Sequence, residues 1–62
     1  MKRKQLVRWL LQNGCIFIRE GANHSIFFNP ELRRTSTVPR HTEIDDFLAK
    51  KISKDLGITP PR

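Results

Sequence analysis

Apolar residues recur with helical spacing in two segments of the chain, one near each end. In residues 4–13 they occupy one broad arc of a helix with about 100° per residue, and they are Leu6, Val7, Trp9, Leu10 and Leu11. Residues 42–56 repeat the pattern with Ile44, Leu48, Ala49, Ile52 and Leu56. Gly14 and Gly57 follow, and glycine commonly supplies the left-handed residue that ends a helix. The pattern predicts helices over about Lys2–Asn13 and Asp45–Leu56, with Thr42 or Asp45 as the second N-cap.

Between the helices the spacing changes to that of β-strands. Three short runs rich in β-branched and aromatic residues are separated by turn-forming residues, and they span Cys15–Arg19, His24–Phe28 and Thr35–Val38. Because the connections are short, the strands are expected to form an antiparallel meander. The predicted fold is α+β in the order α-β-β-β-α, with both helices on one face of the three-stranded sheet.

Side chains of the second strand alternate between the two faces of this sheet. One face receives His24, Ile26 and Phe28, and the other receives Ser25, Phe27 and Asn29. At least one phenylalanine must therefore point away from the helices. Such exposure of a large apolar side chain is typical of an interface.

The composition indicates one small basic domain over residues 1–62, with 59–62 as a frayed tail. The 62 residues include 12 Lys or Arg and 6 Asp or Glu, for a formal net charge of +6. A domain of this length buries only about 60% of the surface that its unfolded chain exposes, which excludes a deep substrate cavity. The positive charge favours a polyanionic partner, because binding to Lys and Arg releases the counterions of phosphates. Charge alone leaves RNA, DNA, an anionic lipid surface and an acidic protein open.

Cys15 is the only cysteine, so neither an intramolecular disulfide nor a cysteine-based zinc site can form within one chain. Its position at the start of an apolar strand favours a small buried hydrophobe over a nucleophile. No apolar run approaches the roughly 18 residues that span a membrane, and a cytoplasmic protein without a membrane partner is expected. No Gly-rich phosphate loop, nucleophile elbow or paired-carboxylate motif is present, which excludes P-loop enzymes, kinases and serine hydrolases.

Two histidines are candidates for acid-base chemistry, since imidazole titrates near neutral pH. His24 follows Gly21-Ala22-Asn23 where a turn enters a strand, and it could exchange a proton with a ribose 2′-hydroxyl or a leaving oxygen. The alternative is a polar strand residue without a task. His41 is a second proton-transfer group, a phosphate contact or a loop residue, and its position favours the loop. Without a nearby cysteine or paired carboxylates, the two histidines make a poor metal site.

Seven cations from several predicted elements are candidates for a surface that contacts phosphates without reading bases. They are Arg19, Arg33, Arg34, Arg40, Lys50, Lys51 and Lys54. The alternative is an ordinary solvated surface, but an excess of 6 positive charges on so short a chain favours the patch.

Taken together, residues 4–58 resemble the HicA toxin family. The segments that carry the resemblance are the first helix with Gly14, Arg19, Gly21-Ala22-Asn23-His24, Ile26-Phe27, Arg33-Arg34, Thr37-Val38-Pro39-Arg40-His41, Leu48-Ala49-Lys50-Lys51-Ile52 and Asp55-Leu56-Gly57-Ile58. The glycine-to-histidine turn and the Thr-Val-Pro-Arg-His stretch are the most specific. Many members have a Gly-Ser-His-His turn, whereas here Asn23 precedes the histidine and Ser25 follows it.

The resemblance implies a fold like that of double-stranded-RNA-binding domains. It also implies a ribosome-independent endoribonuclease, an mRNA interferase, that a HicB-type antitoxin holds inactive, with His24 as the catalytic histidine. Attack of a 2′-hydroxyl on the adjacent phosphate needs a base, an acid and nearby cations, but neither metal nor cofactor. The expected RNA-binding residues are Arg19, Asn23, Arg33, Arg34, Arg40, His41, Lys50, Lys51 and Lys54. Among them Arg19, Arg34 or a lysine of the second helix is expected at the phosphate oxygens.

Two other functions fit the same residues. The chain could be a non-catalytic RNA-binding module, because this fold binds duplex RNA by shape and backbone contacts. It could also be an interaction module whose basic surface serves an acidic protein. Only the RNA functions predict RNA binding that weakens with added salt.

Overall fold

The predicted order of helices and strands is confirmed by a computed structural model, which describes residues 1–61. The elements are α1 (Arg3–Gln12), β1 (Ile16–Glu20), β2 (His24–Asn29), β3 (Arg34–Pro39) and α2 (Asp46–Leu56). The strands form one antiparallel sheet in the order β1-β2-β3. The fold class is therefore α+β, as predicted.

The strand ends differ from the prediction by at most one residue. β1 begins at Ile16 because the Cys15 N–H still donates to the Leu10 carbonyl oxygen of α1, at 3.0 Å. β2 and β3 are longer than predicted because Asn29 pairs with Arg34, so the ladder continues past the expected turn residue. β3 then ends at the outer edge of the sheet on a proline, a residue that an edge strand tolerates.

Both helices end where the glycines predicted. Gly14 follows α1 with a φ of +85°, and Gly57 follows α2 with a φ of +76°. α1 begins later than predicted, at Arg3, because Lys2 pairs with Glu43 in an isolated β-bridge. Asp45 occupies the N-cap position of α2, although its side chain caps no backbone N–H.

The core lies between the two helices and one face of the sheet. Its buried side chains are Leu6 and Leu10 of α1, Ala49, Ile52 and Leu56 of α2, Phe27 and Val38 of the sheet, and Cys15 and Ile44 of the connections. Cys15 is thus a buried apolar residue, as predicted, and burial raises the pKa of its thiol.

Strand β2 shows which face of the sheet the helices cover. Ser25, Phe27 and Asn29 are buried, whereas the alternate residues His24, Ile26 and Phe28 are only half-buried. The second set therefore lies on the face without helices, which we call the open face. Phe28 is the phenylalanine that points away from the helices, so the predicted one-sided arrangement is confirmed.

The segment after α2 contacts α1. The indole Nε1 of Trp9 donates to the Thr59 carbonyl oxygen at 2.8 Å, and Pro61 lines a groove with Trp9 between the helices. Fraying of residues 59–62 stays a prediction, and Arg62 lies outside the described residues. Within residues 1–61 no helix is long and apolar enough to cross a membrane.

Leu10→Ala is expected to lower the free energy of unfolding by about 2–5 kcal/mol, because it leaves a cavity where a fully buried side chain packed. A core of this size rarely supplies more than about 3–5 kcal/mol, so the variant should be close to unfolding. Urea denaturation followed by circular dichroism measures the change. Ile52→Val is expected to lower the free energy of unfolding by only about 0.5–1.5 kcal/mol. This variant should therefore stay folded and measurable even if Leu10→Ala unfolds.

Leu11→Ala is the matched control, since Leu11 is the next residue of α1 and is 52% exposed. Its free energy of unfolding should change by less than about 0.5 kcal/mol. Equal losses from the two alanine variants would contradict the assignment of the core face of α1.

Candidate functional site

His24 is the first residue of β2 and directly follows a tight turn that begins at Gly21. The Gly21 N–H donates to the His24 carbonyl oxygen at 2.7 Å and closes this turn. A Cβ at position 21 would stand 3.4 Å from the imidazole Cδ2 and 3.3 Å from that carbonyl oxygen. The ring therefore lies against the glycine backbone and stays half-buried at one end of the open face. This placement restricts the motion of the imidazole and leaves part of it accessible.

A β-bulge in β1 brings Arg19 to the same face as the histidine. Before the bulge Phe17 pairs with the buried Phe27 and faces the helices, and after it Arg19 pairs with Ile26 on the open face. Ile18 is the extra residue, without which the alternation would turn Arg19 toward the helices. Diagonal neighbours on adjacent strands lie about 7–8 Å apart, so Arg19 and the histidine flank one patch of the open face.

A partly buried hydrogen-bond network joins the three strands behind His24. The Arg3 guanidinium donates to Ser25 Oγ at 2.7 Å and to the Pro39 carbonyl oxygen at 2.9 Å. The Ser25 hydroxyl in turn donates to the Glu20 carboxylate, whose two oxygens both lie at 2.9 Å. Glu20, Ser25 and Pro39 belong to β1, β2 and β3. One side chain of α1 thus fixes the ends of all three strands around the histidine.

A shallow depression beside the histidine is lined by three of the predicted site residues, Asn23, Arg40 and His41. Asn23 precedes His24, and Arg40 follows Pro39, which pairs with His24 across the sheet. Nε of Arg40 lies 3.7 Å from Oε1 of Glu20, and both side chains are about half exposed. An exposed pair of this kind contributes little, so the guanidinium can turn from the carboxylate toward a phosphate.

These placements gather five predicted residues from two strands, the turn between them and the segment after β3 into a single region. We call it the His24 corner, and it consists of Arg19, Asn23, His24, Arg40 and His41. It contains two guanidinium groups, and one of them, that of Arg40, lies near a carboxylate, that of Glu20. The region is therefore positively charged and suits an anionic ligand.

The two remaining predicted arginines lie at the opposite end of the sheet. Arg34 pairs with Asn29, five residues along β2 from His24, or about 17 Å at 3.3 Å per residue. Its side chain packs against Gly57 at the end of α2. Arg33 precedes it with a positive φ of 56°. A phosphate held at His24 is therefore out of reach of Arg34, one of the residues expected at the phosphate oxygens.

The three predicted lysines lie on α2, away from the open face. Lys50, Lys51 and Lys54 are all exposed. Lys50 lines the groove between the helices with Arg8 and Trp9, and Lys51 pairs with Asp55 at 3.3 Å. The seven cations expected as one patch thus occupy three separate regions, of which only the His24 corner combines cations with a histidine.

The His24 corner includes neither the cysteine nor a cluster of metal-binding side chains. Cys15 is 1% exposed and belongs to the core. In the described residues, 1–61, no three His, Cys, Asp or Glu side chains lie close enough together to hold a metal ion.

Two features of the site were missed by reasoning from the sequence. The bulge at Ile18 has no local signal, because the segment from Ile16 to Arg19 contains no glycine and its three consecutive apolar residues show no break in pattern where the bulge occurs. Arg3 is one of several basic residues near the start of the chain, and only the folded chain brings it to Ser25, 22 residues away. A serine on the buried face next to Phe27 was the one available signal, since a buried hydroxyl needs a partner.

Comparison with models of protein families identifies one match. The model of a family described as HicA toxin of bacterial toxin-antitoxin matches residues 3–58, nearly the whole chain. This chain belongs to the HicA toxin family. Comparisons with curated proteins and with solved structures gave no match.

Membership in the HicA family has two consequences for the site. A toxin of a toxin-antitoxin system has an antitoxin partner, and HicA toxins are in general nucleases. The matched region, 3–58, contains every residue of the His24 corner and the Arg3 to Glu20 network behind it. The family match therefore includes all the residues that the fold brings together at the candidate site.

Ser25→Ala is expected to lower the free energy of unfolding by about 1–3 kcal/mol, because two charged groups, those of Arg3 and Glu20, would each lose a hydrogen bond to the hydroxyl. It should also displace the strand ends around His24. Urea denaturation measures the first effect, and the chemical shifts of the His24 ring in NMR spectra measure the second.

Ser53→Ala is the matched control, because Ser53 is also fully buried but donates only to a carbonyl oxygen of its own helix, that of Ala49. The free energy of unfolding should fall by less than about 1 kcal/mol, since such a bond adds little to the stability of a helix. The His24 ring signals should not move. Equal effects of the two serine variants on these signals would contradict the role assigned to the network.

Proposed function

We propose that this HicA chain is a ribosome-independent endoribonuclease, an mRNA interferase, in which His24 transfers a proton during cleavage. The observation that supports the proposal most is the His24 corner, where a half-buried imidazole lies on the open face with Arg19 of β1, and where Arg40 directly follows Pro39, the β3 residue that pairs with His24. Family membership adds the general expectation of a nuclease. The chain would act on messages in the cytoplasm.

The proposed chemistry uses the 2′-hydroxyl that each ribose of RNA carries next to a phosphate. In the proposed reaction His24 takes the proton of a ribose 2′-hydroxyl, and the 2′ oxygen attacks the adjacent phosphorus. The bond from phosphorus to the 5′ oxygen breaks, and that oxygen leaves with a proton from a second acid. The products are a 2′,3′-cyclic phosphate and a 5′-hydroxyl end. His41 lines the neighbouring depression and is the candidate for the second acid.

The cations of the corner stabilise the charge that develops on the phosphate oxygens. Arg19 reaches the site from the open face, and Arg40 reaches it from the end of β3. Guanidinium groups suit this role because they donate two parallel hydrogen bonds to phosphate oxygens. Asn23 adds an amide donor at the depression. A metal or cofactor has no step in this proposal.

The remaining predicted RNA-binding residues contact phosphates beyond the one that is cleaved. Arg33 and Arg34 would meet the chain of RNA at the far end of the sheet, and Lys50, Lys51 and Lys54 would meet it along α2. Such contacts position the RNA and are weakened by salt.

We further propose that the antitoxin partner is of the HicB type and blocks the corner. Carboxylates of an acidic partner would pair with Arg19 and Arg40 and occupy the place of the substrate phosphate. Opposite charges speed such association and make it sensitive to salt.

His24→Gln is expected to slow RNA cleavage by about 10²–10⁴-fold, the usual contribution of a positioned acid-base group. RNA affinity should change little, because glutamine keeps a polar side chain of similar size. The measurement incubates the purified variant and the wild type with a long single-stranded RNA in excess EDTA and follows fragment lengths. Equal cleavage by both proteins would remove His24 from the mechanism. No cleavage by either, with RNA still bound, would favour the non-catalytic RNA-binding module.

Arg19→Gln is expected to lower kcat/KM by at least about tenfold, because the developing negative charge loses a donor of charge-assisted hydrogen bonds. Arg8→Gln is the matched control, since it removes the same charge from the groove between the helices, away from the open face. Its effect should stay within about twofold. Equal losses would show that net charge matters and that the position of Arg19 on the open face does not.

A further inference from the structure

The outer edge of β1 is unusually apolar for an exposed strand. β1 is an edge strand, because it pairs only with β2. Its three consecutive residues Ile16, Phe17 and Ile18 are 49%, 49% and 46% exposed. No residue of this strand is buried, so the helices leave its side chains largely exposed. An exposed edge of this kind offers unpaired backbone groups together with apolar side chains, which favours pairing with a strand from another chain.

The other edge of the sheet differs in each of these respects. β3 exposes mostly polar side chains along its length, and it ends at Pro39. Charged and polar side chains and a terminal proline are devices that keep an edge strand from pairing. Helix α2 also packs beside this strand, with Ser36 bonded to Asp55 at 3.4 Å. The two edges are therefore unequal, and only β1 is suited to a partner.

We propose that the antitoxin binds by adding a strand to the outer edge of β1. The inference rests on the antitoxin partner of the proposed function and not on RNA cleavage. The bulge at Ile18 limits regular pairing to the first part of β1, so the added strand is short. Main-chain hydrogen bonds to this edge then supply affinity, and apolar side chains that pack on Ile16 and Phe17 supply specificity.

Charge identifies an acidic antitoxin strand as the occupant in preference to a second copy of this chain. Two copies would each bring a net charge of +6, and such like charges oppose association. Arg19 lies at the end of the apolar edge and, because of the bulge, on the open face. A strand that combines apolar residues with a carboxylate near its end would complement both the apolar edge of β1 and the charge of Arg19. Its carboxylate would pair with Arg19 and take that cation from the RNA phosphate.

Ile16→Lys tests the proposal, because Ile16 lies in the regularly paired part of β1 before the bulge, and lysine on an edge strand opposes pairing. We expect it to weaken the complex with the cognate antitoxin by at least about tenfold, as measured by calorimetry with the two full-length proteins. Cleavage of RNA by the free variant should equal that of the wild type, since Ile16 lies at the start of β1, before the bulge, and has no part in the His24 corner. Urea denaturation confirms that the variant is folded.

Two control variants carry the same new charge on other exposed surfaces. Phe47 of α2 is 75% exposed and lies outside the sheet, and Thr35 of β3 pairs with Phe28 on the open face, far from His24. Phe47→Lys and Thr35→Lys should each change antitoxin affinity by less than about twofold. A loss with Phe47→Lys alone would place the antitoxin on the helices, and a loss with Thr35→Lys alone would place it on the open face. Either result overturns the proposal.

Hydrogen exchange measures strand addition directly. Backbone amides at the start of β1, from Ile16 to Ile18, that exchange rapidly in the free toxin should become protected in the complex, while those of Arg34–Pro39 should change little. Unchanged exchange in β1, or a stable dimer of the free chain in sedimentation velocity, would overturn the proposal. Failure of RNA cleavage in the wild type would instead count against the proposed function and would leave the binding result unaffected.

Discussion

A three-stranded sheet has two faces, and this chain has only two short helices with which to cover them. Both helices pack on the face that carries Phe27 and Val38, because a chain of 62 residues can close one core and not two. The opposite face therefore stays in contact with solvent. His24 lies on that face, held by the turn at Gly21. The accessible surface that the proposed chemistry needs is thus a consequence of the size of the domain.

Accessibility alone does not position reacting groups, and two local devices provide the positioning. The bulge at Ile18 changes the alternation of β1 so that Arg19 joins the open face. Behind the sheet Arg3 bonds to β2 and β3 directly and reaches Glu20 of β1 through the Ser25 hydroxyl. A site built on strands whose ends are fixed from the core is more rigid than one built on loops. The same bulge separates the apolar start of β1 from Arg19, so it shapes both the proposed site and the proposed antitoxin edge.

Much of the fold could be predicted from the sequence because its determinants are local. The helical spacing of Leu6 and Leu10, and the positive φ required after each helix, are properties of neighbouring residues. The two faces of β2 followed from simple alternation, which also placed His24 opposite the buried Phe27. The strand ends were less accurate, because pairing of Asn29 with Arg34 depends on a neighbouring strand.

The composition of the candidate site was harder to predict because it depends on contacts between distant segments. Net charge indicated a basic surface but could not show that Arg34 and Lys50 lie far from His24. The bulge and the role of Arg3 arise only when three strands and a helix meet. Family membership indicates nuclease activity in general terms and an antitoxin partner. The arrangement of Arg19, His24 and Arg40 is visible only in the folded structure.

The central claim is that His24 and its cations cleave RNA through the 2′-hydroxyl, and the ends of the products test it most directly. The measurement is mass spectrometry of the fragments that the purified wild-type chain makes from a defined single-stranded RNA in excess EDTA. The account predicts fragments that end in a 2′,3′-cyclic phosphate and begin with a 5′-hydroxyl. Fragments that carry a 5′-phosphate, or no cleavage until a divalent metal is added, would contradict it.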